Sequence, residues 1–274
     1  MEQHGENPRK PVIAVIPARY GSTRLAGKML LPIGGKPLVV CTAFRVAEAS
    51  LIDSVIVATD DERIASVAES FGLSVALTSK KHRSGSDRVA EVARGLEAES
   101  VIVNVQGDEP LVDPEAIDYA ISALLNDPAA DMATIYERFY DADEILDPAA
   151  VKVVEADGYA IYFSRQPIPF PRDAAAESGN DLRLALRKYP RLMALYRKHV
   201  GVYVYRREYL LRFSELAPTV LETTEMLEQL RALEDGAKIR LIESKGRSIG
   251  IDTEEDLSRV INIYKTADIE SGGF

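Results

Sequence analysis

The sequence predicts an α/β protein with a mostly parallel, mixed sheet and a smaller β-rich subdomain. Apolar, β-branched runs alternate with helical periodicity through the first half of the 274 residues. Those runs are apolar on both faces, as strands of a sheet covered by helices must be. From about residue 132 the runs alternate polar and apolar, as half-buried antiparallel strands do.

Taken in order, "VIAVIPA" at 12–18 predicts the first strand, followed by a helix over 37–50. "SVIVAT", a helix at 61–71, "LSVALT", a helix at 84–98, "SVIVNVQ" and a helix at 114–126 continue the alternation. In the second half, "MATIYERF", "VKVVEADGYAIYFSR" and "HVGVYVYRR" read as strands, with Asp157-Gly158 marking a hairpin turn. Residues 171–198 are polar and carry Pro171 and Pro190, which predicts a mobile loop with a short helix at 181–188. "TTEMLEQLRALE" at 223–234 predicts a helix ending at Gly236, and "KIRLIES" a strand. Thr253 with Asp256 predicts the start of a last helix through about 265. The expected organisation is one domain over 11–266, with 132–213 as a smaller β-rich layer laid over the sheet and flexible tails at 1–10 and 267–274.

Composition narrows the function. The chain is 46% hydrophobic with a formal charge of −10 and no Trp. An acidic chain without a broad basic footprint argues against nucleic acid as a partner. No apolar stretch approaches eighteen residues and "MEQHGENPRK" has no apolar core, so neither membrane spanning nor export is expected. Cys41 is alone inside an apolar helical pattern, which predicts a packed core thiol and a reducing, cytoplasmic setting.

Ligands of parallel sheets bind beyond the carboxyl ends of the strands. Three stretches fall there: the loop after residue 18, "TDD" at 59–61 and "QGDEP" at 106–110. The first gathers Arg19, Arg24 and Lys28 with Gly21 and Gly27. It is not a Walker A loop, because five residues rather than four separate the glycines and Met29 stands where the magnesium-binding hydroxyl belongs. What remains suits wrapping a triphosphate and neutralising a departing pyrophosphate; the alternative is a solvated basic loop. In "QGDEP", Asp108 is the candidate metal ligand and Gly107 permits close approach of a ligand; a turn-forming Asp is the alternative. In "SIGIDTEEDL", Asp252 either caps the last helix or faces Asp108 to make an oxygen-rich site for magnesium.

Together "IPARYGSTRLAGK", "VATDDERI", "HRSGSDRVAEV", "VIVNVQGDEPLVDP", "DPAAVKVVEADGYAIYFSRQPIPFPRD", "HVGVYVYRR", "LETTEMLEQLRALEDG" and "GIDTEEDL" resemble, in order and spacing, the CMP-Kdo synthetases. These are the 3-deoxy-manno-octulosonate cytidylyltransferases, and the resemblance runs over roughly residues 11 to 264. It implies a Rossmann-like nucleotidyltransferase, a homodimer, that joins CTP and Kdo into CMP-Kdo with release of pyrophosphate, for lipopolysaccharide biosynthesis.

The resemblance carries Arg19, Arg24 and Lys28 to the triphosphate loop, and Asp108 and Asp252 to Mg2+. Gln106, Arg165, His199, Tyr203, Glu228 and Gln229 match positions that hold the sugar acid, with the Arg165 fork on the carboxylate. Ser84, Gly85 and Arg88, in "SGSDR", match the segment that reads the cytosine ring. Tyr203 and Tyr205 are expected on opposite sides of their strand, with only Tyr203 in the site. Ala26 stands where the family has Pro, Ser86 where it has Thr, and 174–196 is longer than the family norm. The chemistry implied is in-line attack of the anomeric hydroxyl on the α-phosphorus, with no dedicated protein base. Two other readings stay open: a cytidylyltransferase for another 2-keto acid sugar, sialic-acid-like or amino-substituted, and a non-catalytic nucleotide-sugar sensor.

Overall fold

A computed structural model describes residues 10–21 and 25–270. The first half runs β1 (Val12–Ala18), a short hairpin of β2 (Pro32–Ile33) and β3 (Lys36–Pro37), then α1 (Leu38–Ala47), β4 (Ser54–Thr59), α2 (Glu62–Ser70), β5 (Ser74–Leu77), α3 (Gly85–Arg94), β6 (Val101–Val105) and α4 (Pro114–Asn126). The second half adds β7 (Met132–Arg138), α5 (Ala142–Leu146), β8 (Lys152–Ala156), β9 (Tyr159–Ser164), α6 (Arg172–Ala176), α7 (Leu182–Lys188) and β10 (Arg197–Arg206). It closes with α8 (Arg207–Glu215), α9 (Val220–Glu225), α10 (Gln229–Glu234), β11 (Ile239–Glu243) and α11 (Glu254–Glu270).

Among the described residues, the main strands form one nine-stranded sheet in the order β5-β4-β1-β6-β10-β7-β11-β9-β8. β5, β4, β1 and β6 are mutually parallel, and β10 enters antiparallel between β6 and β7. The period of two in β1 sorts its side chains: Val12, Ala14 and Ile16 join the core beneath α1, α2 and α4. Ile13 and Val15 join the core beneath α3 and α8. The sheet is therefore covered on both faces, as its apolar strands require. No helix among the described residues is long and apolar enough to cross a membrane.

Several expectations change here. The strands of 132–213 are not a layer laid over the sheet; β7 and β10 hydrogen-bond directly into it beside β6. Sequence alternation reports one wet face, and it does not say whether the strand's edge is free or already paired. The segment before β10 is built on its own small core, in which Leu186 and Tyr196 pack on Phe139, Ala142 and Ile145. The helix expected over 223–234 is broken at Met226, whose φ is +54°. The last helix continues to Glu270, through residues expected to be a tail; Arg24, 1–9 and 271–274 lie outside the described residues. The hairpin at Asp157-Gly158 forms with φ of 53° and 77° at the two residues, and Cys41 is 4% exposed in a core with Ile33 and Leu38.

Candidate active site

A cleft of about 1480 Å³ opens beyond the carboxyl end of β6. One wall comes from the start of α3 and from Gln106 and Glu109; another from His199, Gly201 and Tyr203 of β10. The turn at 147–151, the break at Met226–Gln229 and the loop leading into α11 complete it.

At one end stands Lys28, at the start of a single 3-10 turn behind the basic loop. Its Nζ donates to Asp108 Oδ2 at 2.5 Å and to Asp252 Oδ1 at 3.1 Å. The backbone holds the two aspartates together, since Ile251 N donates to the Asp108 carbonyl at 3.0 Å. Burial works against the charge of Lys28, but the Asp108 carboxylate and its hydrogen bond outweigh this and raise the pKa. Thr253 and Asp256 cap α11 reciprocally, so the Asp252 carboxylate is not consumed in capping. Next to Asp108, burial and then the Asp108 charge push Glu109 up to about 7, and the Ser248 hydroxyl donates to it. Arg19 donates through Nη1 to the Arg83 carbonyl at 3.2 Å. Its buried Nη2 has no partner among the described residues, leaving a donor for a ligand oxygen.

The other end is a network of neutral and partnered groups. The Ser86 hydroxyl donates to Glu228 Oε2 at 2.7 Å, joining the start of α3 to the start of α10. Gln106 donates to Asn104 Oδ1 at 3.3 Å. His199 lies between the rings of Phe163 and Tyr203, with centroids 5.0 and 5.4 Å away. Burial lowers its pKa to about 3, and burial with the Glu228 charge holds the Tyr203 phenol well above its ordinary value. Among the described residues no three His, Cys, Asp or Glu side chains converge as a ready metal cluster.

A family model described as cytidylyltransferase matches residues 13–239. The chain belongs to the cytidylyltransferase family. The 3-deoxy-manno-octulosonate cytidylyltransferase of Geobacter sulfurreducens is 49% identical over 255 residues, covering 93% of this chain and 99% of that protein. Its counterpart from Pelobacter propionicus is 51% identical over 247 residues, 90% and 94% of the two chains. A solved structure of CMP:2-keto-3-deoxy-manno-octonic acid synthetase complexed with CTP superposes with a TM-score of 0.83 at 38% identity. It covers 94% of this chain and 100% of that one.

In this cytidylyltransferase the cleft brings together Gly85, Gln106, His199, Tyr203, Glu228, Gln229 and Asp252, with Lys28 and Asp108 at its end. Arg165 does not line it. The Arg165 guanidinium donates to the carbonyls of Glu225 at 2.7 Å, Pro148 at 2.9 Å and Met226 at 3.3 Å, so it clamps two wall segments to each other. Arg88 is also turned away: it is 1% exposed, 3.2 Å from Asp60, and bonded to the Thr78 hydroxyl. Ser84 is the N-cap of α3, in a capping box with Asp87. Asp61 caps α2 and pairs with Arg63, whose guanidinium stacks 3.3 Å over the Tyr20 ring.

Tyr205 lies on the same side as Tyr203, with 5.9 Å between centroids, because alternate residues of a strand share a face. Gly107 does provide a close approach, but to the chain's own Met29 and Pro17: a Cβ there would sit 2.9 Å from Met29 Sδ. Lys198, on the cleft wall between Glu137 at 3.0 Å and Glu144 at 2.8 Å, escaped the sequence reading. A charged residue beside a strand start carries no signal of which charges will meet it.

Proposed function

We propose that this cytidylyltransferase transfers CMP from CTP to the anomeric hydroxyl of 3-deoxy-D-manno-octulosonate, giving CMP-Kdo and pyrophosphate. The observation that carries the reading is the cleft itself. A cation and two aspartates stand at one end and a wall of directional hydrogen-bonding groups at the other, in a chain related to the named Kdo enzymes along nearly its whole length.

Asp108 and Asp252 fit a divalent cation: two carboxylates aimed at one cationic centre, with the remaining oxygens left to phosphate and water, is a donor set that suits Mg2+. Such an ion would neutralise phosphate charge and lower the pKa of a bound hydroxyl. Lys28, with its ammonium already between the carboxylates, is in reach of the same phosphates. Arg19, through its unpartnered Nη2, is a second donor to the triphosphate. On the far wall Gln106, Tyr203, Glu228 and Gln229 offer donors and acceptors for sugar hydroxyls. These residues orient the nucleophile, and a hydroxyl bound to such an ion would need no dedicated protein base.

Ligand roles for Ser84, Gly85 and Arg88 at the cytosine reduce to the backbone of Ser84 and Gly85, since their side chains and that of Arg88 are otherwise engaged or absent. Exposed Ile161 and Phe170, on and just after β9, support a homodimer built on the 132–213 half. The lone buried Cys41 supports a reducing, cytoplasmic setting. Pyrophosphate release from CTP with a panel of keto-acid sugars, with and without Mg2+, tests the whole reading. Kdo is expected to be turned over in preference, and turnover of a sialic acid but not Kdo would reassign the substrate.

A further inference from the structure

The Thr134 hydroxyl, which no step above uses, determines what chemistry His199 offers the cleft. Thr134 is fully buried on β7, opposite a place where β10 bulges: the register passes from Val200 against Ile135 to Tyr203 against Thr134, three residues of β10 for one of β7. The bulge brings the Val202 carbonyl oxygen to 2.7 Å from Thr134 Oγ1, and His199 Nε2 stands 2.9 Å from the same Oγ1.

A threonine hydroxyl has one proton to give, and a carbonyl oxygen can only accept. If the proton pointed at His199, two buried oxygens would face each other at 2.7 Å with nothing between them, an arrangement that leaves the Val202 contact unmade. Directed at Val202, it leaves the 2.9 Å contact bonded only when Nε2 carries the hydrogen. A neutral imidazole has a single N–H, so Nδ1 is bare. Burial keeps the ring neutral, and among the described residues no carboxylate is bonded to it. Phe163 and Tyr203 on either side oppose a ring flip.

We propose that Thr134 is a positioning residue that holds His199 in its Nε2–H tautomer and so turns Nδ1 to the cleft as an acceptor, selecting a ligand that presents a hydroxyl donor there. On the function proposed above, that hydroxyl belongs to the keto-acid sugar. A sugar with hydrogen or an O-methyl group in its place loses the contact, and a site built to receive a hydroxyl discriminates strongly against an analogue lacking it.

Nitrogen NMR of the free, histidine-labelled protein tests the tautomer without any substrate. His199 is expected to show a protonated Nε2 and a bare Nδ1, and Kdo is expected to shift Nδ1 as it becomes hydrogen-bonded. Thr134→Ser keeps this signature. Thr134→Val is expected to give a mixture of tautomers and to raise KM for the sugar about tenfold, with KM for CTP held within about twofold. A protonated Nδ1 in the wild type overturns the proposal, as does a Thr134→Val protein with unchanged tautomer and sugar KM. Should Thr134→Val not fold, the wild-type spectrum decides alone. A protein that ignored Kdo would defeat the assigned substrate while leaving the tautomer measured.

Discussion

The two ends of the cleft solve different problems with different materials. Around Lys28 the chain gathers full charges on loops behind parallel strands, at Asp108 and Asp252, 80 and 224 residues away in sequence. Around His199 it gathers directional hydrogen bonds on strands and helix starts, with Ser86 on Glu228 and Thr134 on His199. On the proposed function the first end lowers the repulsion between two anions and a chain of the same sign, for which charge in a partly desolvated loop is effective. The second then tells one sugar from another. Directional bonds do that better than charge, because a missing partner leaves a polar group unpaired.

The largest effect expected is at the charged end. Asp108→Ala should lower kcat about a thousandfold in a pyrophosphate-release assay, with a smaller change in KM for the sugar. Equal activity in both proteins would remove the distinction between the ends. Glu228→Gln keeps the shape and removes the acceptor charge facing Ser86. It should raise sugar KM about tenfold and leave kcat nearly intact, the opposite split.

Arg165 sharpens the comparison, being a cation on the His199 side whose guanidinium is spent on carbonyls. If it clamps, Arg165→Met lowers unfolding free energy by about 2 kcal/mol in urea titration, and added sugar stabilises the variant as it does the wild type. A change in sugar KM with stability untouched would make it a ligand instead.

The pH response of His199 tests the other side of the comparison. Its folded pKa, about 3, lies below the ordinary 6.5, so the unfolded chain binds the extra proton as pH falls through that window. The neutral ring's contribution is complete above about 6.5 and is lost on acidification. The wild-type minus His199→Asn stability difference should therefore shrink from pH 7 toward 4. A flat difference would mean that the ring titrates freely, as a solvated group at the charged end would.

Much of the charged end was legible in the sequence, because its determinants are local. A strand's last residue, a glycine-bearing loop and an aspartate follow one another in the chain, and the topology of a parallel sheet gathers such strand ends. The sequence left Asp252 open between capping the last helix and facing Asp108, and it is the structure that gives the cap to Thr253 and Asp256. The His199 end was legible only through resemblance. Arg165 in "YFSR" offers a fork to any acceptor, and the chain's own carbonyls at 148, 225 and 226 reached it. The break at Met226 interrupts a sequence with unbroken helical character, since αL backbone at a non-glycine residue is imposed by packing.

By itself the sequence determined the strand and helix alternation, the two-sided burial of β1, and which loops bear charge, because periodicity and residue type act over a few neighbouring positions. Only the tertiary structure decided that β7 and β10 join the main sheet, that Lys28 stands between the aspartates, and that Nε2 of His199 meets the Thr134 hydroxyl. Each of those depends on a partner far along the chain. A hydrogen bond or ion pair takes its direction from where the fold brings that partner, which no local pattern records.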